Sequence, residues 1–158
     1  MYDLDGVDCK IIELLQNNAR ISLKDIAAEV FLTSPAVSAR IEKLEQNGVI
    51  EGYHAHVRKE AFLYQIKAFI NLKMDPVQKN ELYSYVKSIK NVLQCDCVTG
   101  DYVIFLEVIF HNTEELDQFI DALQKYGETK TQIVFSTAVE HRGLPLEVNF
   151  KTGSRRIG

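Results

Sequence analysis

Two helix-like patterns joined by a tight turn, between residues 22 and 48, constrain the fold of this chain more than any other feature. Ser22 is followed three residues later by Asp25, which is the spacing of a helix capping box. Apolar residues then recur at helical intervals up to Val30. The sequence therefore predicts a first helix from about residue 22, a turn over 31–33, and a second helix behind it.

The second of these helices has a capped start and a defined end. Thr33 or Ser34 is placed to cap it, Pro35 lies in its first turn, and Gly48 is placed to stop it. Its inward face is predicted to consist of Val37, Ile41 and Leu44. Its outward residues are predicted to be Ser34, Ala36, Ser38, Ala39, Arg40 and Lys43. Small side chains beside an arginine and a lysine suit a helix that lies in a DNA groove, although an ordinary helical hairpin would show the same pattern.

A further helix is predicted before this pair of helices, and a strand is predicted after the pair. Asp5 and Asp8 have capping-box spacing ahead of an apolar stripe, so three helices form a compact head. Residues 49–57 have strand character and predict a wing or connecting strand. His54 on this strand is placed to touch a DNA phosphate, or alternatively lies on a solvated face. With His56 it lacks the further partners of a metal site.

The rest of the chain alternates strands and helices in the order βαββαβ. This order is typical of a ferredoxin-like, four-stranded antiparallel sheet with both helices on one face, so the fold class is α+β. The predicted elements are a strand over 65–74, a helix after 75–76, strands over 91–98 and 102–110, a helix capped by Asn112 or Thr113 and ending at Gly127, and a strand over 131–139.

The sheet face opposite the helices is too apolar to remain in water. Its predicted residues are Phe69, Val103, Phe105, Ile109, Val134 and Ala138. Either two such sheets meet face to face in a homodimer, or residues 144–150 cover part of the face as an edge strand.

Composition limits the classes of function. The net charge is −4, and residues 1–60 carry seven Lys and Arg against ten Asp and Glu, so a single copy should bind nucleic acid weakly. No apolar run is long enough to span a bilayer, and the acidic start lacks the features of a signal peptide, so we expect a cytoplasmic protein without a membrane partner. Cys95 and Cys97 are expected to be buried thiols on an apolar strand face. No motif of catalysis or cofactor binding is present, so neither an enzyme nor a cofactor is predicted.

The head carries a run of residues that resembles a known family. The run includes Leu4-Asp5, Ile11-Ile12, Leu15-Gln16-Asn17-Asn18-Ala19-Arg20, Asp25-Ile26-Ala27, Leu32-Thr33, Arg40-Ile41, Leu44-Glu45, Gly48-Val49-Ile50 and Gly52-Tyr53. It is similar to the Lrp/AsnC, or feast/famine, transcription regulators. The resemblance implies a winged helix-turn-helix head followed by a ferredoxin-like domain for regulation of amino-acid metabolism. It places the head at residues 1–52, a connecting strand and linker at 53–64, the effector-binding and oligomerisation domain at 65–148, and a tail at 149–158.

The same resemblance implies partners and sites. It implies double-stranded DNA as partner, with a recognition helix from Thr33 or Ser34 to Asn47, and dimers that assemble into tetramers or octamers. An amino-acid effector is implied at a loop formed by Thr99, Gly100, Asp101 and Tyr102. The family often has an acid where this chain has Val103, and Asp101 is expected to replace it on the same face. Arg40 matches a family arginine and either contacts DNA or braces the head against an acid such as Glu29.

Two other functions stay open on the sequence. A low-specificity architectural protein would wrap or bend DNA without sensing an effector. A metabolite-binding oligomer whose head binds a protein would instead account for the acidic balance of the chain.

Overall fold

The computed structural model describes residues 2–146, which form two compact units. One unit comprises residues 2–55 together with 139–146, and the other comprises residues 56–138. Residues 139–146 therefore belong with the head, whereas the sequence placed 65–148 in one domain. Residues 144–146 of the predicted edge strand are not in a strand, and its remaining residues, 147–150, lie outside the described residues. The predicted tail at 149–158 also lies outside the described residues.

The head contains the three expected helices: α1 (Gly6–Asn17), α2 (Leu23–Val30) and α3 (Ser34–Gln46). Their caps confirm the sequence signals. Asp5 and Asp8 form a reciprocal capping box at α1, and the Ser22 side chain accepts a hydrogen bond from the Asp25 N–H at α2. Thr33, rather than Ser34, caps α3.

The interior of the head is small and apolar. Val37 and Leu44 of α3 are fully buried, and Ile41 is half-buried beside them, as the spacing predicted. The buried apolar residues are Ile11, Ile26, Ala27, Val30, Val37 and Leu44. Burial of this shared face fixes which side of α3 remains available at the surface.

The second unit has the predicted βαββαβ order. Its elements are β1 (Ile66–Met74), α4 (Lys79–Ser88), β2 (Val92–Cys97), β3 (Ile104–Phe110), α5 (Thr113–Gln124) and β4 (Gly127–Ile133). The strands are arranged β2-β3-β1-β4, and each neighbouring pair is antiparallel. Alternate residues of β1, namely Ala68, Ile70 and Leu72, are buried against both helices. The ferredoxin-like α+β prediction is therefore confirmed.

The predicted strand over residues 49–57 is wrong. Residues 51–58 are exposed and belong to no strand, and the chain then forms a short 3₁₀ helix at Lys59–Phe62. A strand needs a neighbour to satisfy its backbone groups, and none of the described residues pairs with this segment. β-Branched and aromatic composition alone does not supply that neighbour.

The last strand was also misplaced, because β4 spans Gly127–Ile133 rather than 131–139. Gly127 opens the strand instead of ending α5, which ends at Gln124. Its φ is +155°, and a Cβ added there would collide with the carbonyl oxygen of Lys73 on β1. The glycine thus permits close approach of two backbones, a role that can be mistaken for a helix stop.

The two β2 cysteines are less buried than predicted. The ladder between β2 and β3 shifts register between Val92 and Gln94, which leaves Leu93 in a bulge and exposed. Cys95 is half-buried, and Cys97 is exposed with the Lys79 Nζ 3.2 Å from its Sγ. In residues 2–146, no helix has the length and apolarity needed to cross a membrane, and no three potential metal ligands come together.

Candidate functional site

The outward face of α3 is defined by its buried face. At about 100° per residue, the side opposite Val37 and Leu44 carries five residues that the structure exposes. They are Pro35, Ala39, Glu42, Lys43 and Gln46. Of the predicted contact residues, Ala39 and Lys43 lie on this face. Pro35, Glu42 and Gln46 were not among the predicted contact residues, although the spacing of the buried residues identifies them.

The other predicted contact residues lie at the edges of α3. Ser34, Ala36 and Ser38 are half-buried, and the Ser38 Oγ donates a hydrogen bond to Glu42 Oε1 at 3.1 Å. The Thr33 Oγ1 accepts from the Ala36 N–H at 3.4 Å, so the threonine acts first as a cap. Because these side chains are short, the N-terminal half of α3 is narrow enough to fit into the major groove of DNA.

Arg40 is turned back into the head. Its Nη1 lies 2.7 Å from Asp8 Oδ1 and 2.8 Å from Asp5 Oδ2, and the Asp8 side chain is only 2% exposed. The Tyr2 hydroxyl donates to the other Asp8 oxygen at 3.2 Å. Arg40 therefore braces α3 against the start of α1, with Asp5 and Asp8 as partners instead of Glu29.

Hydrogen bonds within this cluster stabilise the charged forms of Arg40 and Asp5. Hydrogen bonds to Asp8 and Asp5 raise the pKa of Arg40. Burial works to raise the pKa of Asp5, but hydrogen bonds from the Asp8 N–H and from Arg40 outweigh it, and the pKa is lowered. Sequence spacing contained a signal for Asp8, because it lies three residues before the buried Ile11 on the same side of α1.

Two of the five Lys and Arg side chains within residues 2–55 are already held in ion pairs, which leaves three to meet a phosphate. Lys10 forms an ion pair with Glu13 at 3.0 Å, and Arg40 is committed to its two carboxylates. Among residues 2–146, no ion pair involves Arg20, Lys24 or Lys43. Lys43 is the one of these three that lies on the exposed face of α3.

His54 lies in the extended segment that leaves the head. It is exposed, and the preceding residue, Tyr53, donates its hydroxyl hydrogen bond to Glu45 Oε1 at 2.8 Å. Burial and this hydrogen bond raise the pKa of Tyr53 to about 12. The chain is thus fastened near the C-terminal end of α3 just before His54.

The predicted effector loop joins β2 to β3. It is closed by a hydrogen bond from the Val98 N–H to the Val103 carbonyl at 2.9 Å. Gly100 has a φ of +108°, which favours glycine, and the Tyr102 hydroxyl donates to Glu128 Oε1 at 2.9 Å. Thr99 and Asp101 are exposed, and Asp101 forms no ion pair within residues 2–146.

Val103 is not on the open sheet face, where the sequence analysis placed it. It packs against the core between sheet and helices, because regular strand structure begins only at Ile104. The expectation that Asp101 and position 103 share a face required a regular strand, and that condition is not met. Asp101 is instead presented by the bent loop.

The open sheet face combines apolar rings with a charged pair. Phe69 and Phe105 stack with ring centroids 5.2 Å apart. The Lys67 Nζ lies 2.7 Å from Glu107 Oε1 and 5.5 Å from the Phe69 ring centroid, so its chain lies across the face. Phe69 and Phe105 remain half-buried in the single chain.

Comparisons with known proteins agree with this two-part arrangement. A family model described as winged helix-turn-helix DNA-binding matches residues 4–51, and one described as Lrp/AsnC ligand binding domain matches residues 67–144. The transcriptional regulator LrpA of Bacillus subtilis is 33% identical over 132 residues, covering 83% of this chain and 97% of the relative.

Two further matches cover more of this chain. The transcriptional regulator FL11 of Pyrococcus furiosus is 32% identical over 147 residues, covering 91% of this chain and 97% of the relative. A feast or famine regulatory protein from M. tuberculosis, solved with L-methionine, is 26% identical with a TM-score of 0.84. That alignment covers 90% of this chain and 99% of the solved one.

Proposed function

Because the chain belongs to the Lrp/AsnC family of DNA-binding transcription regulators, we propose that it recognises specific operator sequences through α3 and controls genes of amino-acid metabolism. The observation that carries the proposal is the exposed face of α3, which has short side chains at its N-terminal end and carries Lys43, a lysine with no ion-pair partner among residues 2–146. Ala39 lies on the same face, with Thr33, Ser34, Ala36 and Ser38 at its edge and N-terminal end. Arg40 holds this face in place through Asp5 and Asp8.

The scarcity of free cations favours a protein that binds DNA with several heads at once. A monomer with few phosphate contacts binds weakly, whereas linked heads raise the effective concentration of the second head at its half-site. The open sheet face around Phe69 and Phe105 supports a homodimer, because stacked rings left half-exposed gain stability when a second sheet covers them. Such dimers would present two α3 helices to the major groove about one helical turn apart, and would assemble further into tetramers or octamers.

We assign the effector to the β2–β3 loop. Asp101 presents a carboxylate without an ion-pair partner among the described residues, Thr99 adds a hydroxyl, and Gly100 lets the loop bend. A carboxylate and a hydroxyl suit the ammonium group of an amino acid. The similar M. tuberculosis protein was solved with L-methionine, which supports an amino acid as the ligand class. An effector acts on DNA binding only through its different affinity for two assemblies of the protein.

The proposal is tested by fluorescence anisotropy with the DNA upstream of the protein's own gene and a scrambled fragment of equal length. A site-specific regulator binds the upstream fragment more tightly, and its affinity falls steeply with salt. Equal binding to both fragments would instead indicate the architectural function, and no binding at low salt would indicate a metabolite-binding oligomer.

The effector assignment is tested in the same assay with the common amino acids added one at a time. One of them is expected to shift the binding curve of the wild type, and Asp101→Asn is expected to lose that shift because an amide carries no charge for the ammonium group. Asp96→Asn, which changes a carboxylate on β2 ahead of the loop, is the control and should keep the shift. A response that survives in Asp101→Asn would place the effector elsewhere.

A further inference from the structure

The turn between α2 and α3 contains a residue in a costly backbone conformation. Phe31 has φ 55° and ψ 42°, in the left-handed region, where its N–H still caps α2 by donating to the Ala27 carbonyl. Glycine occupies this region without penalty, whereas a bulky side chain does so at a cost. The conformation belongs to the C-terminal cap of α2, where the Leu32 N–H also donates to the Ala27 carbonyl at 3.0 Å, and glycine is the usual residue at this position.

Among the described residues, no packing of the Phe31 side chain offsets that cost. The Phe31 side chain is 94% exposed, so it contributes almost no packing to the head. The only other non-glycine residue with a positive φ among residues 2–146 is Leu63, which is 71% exposed at the end of the 3₁₀ helix in the other unit. Backbone strain held at an exposed aromatic residue is a reason to ask what the ring contacts in a complex.

The position of Phe31 indicates the contact. It lies two residues before Thr33, the cap of α3, and Leu32 between them is also exposed. In helix-turn-helix proteins the N-terminal end of the recognition helix is the end that approaches base edges. Phe31 and Leu32 therefore place exposed apolar surface directly before the N-terminal end of α3.

We propose that Phe31 is a specificity residue whose ring contacts the C5-methyl group of a thymine in the major groove. This inference rests on the proposed function, since it requires that α3 binds DNA. Thymine is the base that presents an apolar group in the major groove, and phenylalanine is one of the side chains that can pack on it. The contact is uncharged, so it adds preference for a base without adding phosphate contacts to a head that has few free cations.

The inference is tested with Phe31→Gly and with Leu63→Gly as the matched control. Both variants remove an exposed apolar side chain and the strain of a positive φ, so both should keep or raise the urea midpoint. Only Phe31→Gly should weaken operator binding, by about fivefold to tenfold. The slope of log K against log salt should stay unchanged, because no phosphate contact is lost.

A second variant separates the loss of the ring from greater freedom of the turn. Asparagine tolerates the left-handed region, so Phe31→Asn keeps a side chain in the turn but removes the ring. It should bind the operator as weakly as Phe31→Gly. Full affinity in Phe31→Asn, or in Phe31→Gly, would overturn the proposal.

Modified operators identify the base. Replacing one thymine at a time by uracil removes only the C5-methyl group. At one position this should weaken wild-type binding by about threefold to tenfold and leave Phe31→Gly unaffected. Equal losses in both proteins at every position would refute the contact, as would a change in oligomer size in Phe31→Gly. If the wild type itself shows no preference for the operator, the proposed function fails first, and that result is distinct from these.

Discussion

Removing the Arg40 guanidinium should destabilise the head far more than removing an ordinary surface charge. In Arg40→Ala the Asp8 carboxylate, whose side chain is 2% exposed, loses its charged partner at 2.7 Å. Breaking a fully buried pair costs about 3–5 kcal/mol. Arg40 is itself 32% exposed, and Asp8 keeps the Tyr2 hydroxyl as a donor, so we expect a smaller loss of about 2–3 kcal/mol. The half-exposed Asp5 adds less than about 1 kcal/mol to this.

Urea unfolding followed by far-ultraviolet circular dichroism measures this loss. Lys10→Ala is the control, because it removes a cation whose pair with Glu13 on the same unit is exposed, and it should cost less than about 0.5 kcal/mol. Asp8→Asn in the Arg40→Ala background should recover part of the stability, since the buried group is then neutral. Equal costs for Arg40→Ala and Lys10→Ala would refute the bracing role. Where the folded Arg40→Ala protein binds DNA, its salt slope should match the wild type, because a brace touches no phosphate.

Two other perturbations test particular positions. The lowered pKa of Asp5 means that its contribution to stability is present above about pH 4 and is lost as pH falls through the folded-state value. The urea midpoint of Asp5→Asn should therefore fall less than that of the wild type between about pH 4 and pH 2, and parallel curves would contradict this. Gly127→Ala should lower the free energy of unfolding by about 3 kcal/mol or more, because the added Cβ meets backbone. Gly48→Ala, at φ +67° with open space around it, should cost about 1 kcal/mol, and equal losses in the two alanine variants would count against the backbone collision.

Local sequence signals were sufficient to predict much of the fold. Side-chain caps such as Asp5 and Ser22 act within four residues, so their spacing is visible in the sequence, and both cap their helices in the structure. The reciprocal half of the capping box is formed at α1, whereas at α2 the Asp25 carboxylate accepts from the Ser22 hydroxyl. Alternation along β1 and the spacing of Val37 and Leu44 likewise report burial directly. These features predicted the helices of the head and the order of the sheet unit.

Features that depend on distant parts of the chain were not predictable in the same way. The segment over 49–57 has strand composition, but the absence of a pairing strand is a tertiary fact. Gly127 resembles a helix stop until the approach of Lys73 is known. Arg40 was expected either to contact DNA or to brace the head against an acid such as Glu29, and only the packing of α1 on α3 identifies Asp5 and Asp8 as its partners.

The two candidate sites also differ in how much of each could be predicted from local sequence signals. The exposed face of α3 follows from helical periodicity, so Ala39 and Lys43 were placed where the structure exposes them. The effector loop was located by resemblance, and its bend at Gly100, which separates Asp101 from Val103, depends on where β3 begins. Contacts of these residues with DNA or with an amino acid remain predictions.

In the proposed function, the exposed face of α3 contacts the DNA backbone and bases. This contact is tested most directly by comparing Lys43→Ala with Lys87→Ala, because each removes an exposed lysine from the last turn of a helix, α3 in one case and α4 in the other. Operator affinity is measured across a series of salt concentrations. Lys43→Ala is expected to weaken binding and to reduce the salt slope by about 0.9 for every α3 bound, whereas Lys87→Ala should match the wild type. An unchanged slope and affinity in Lys43→Ala would show that this face of α3 does not contact DNA.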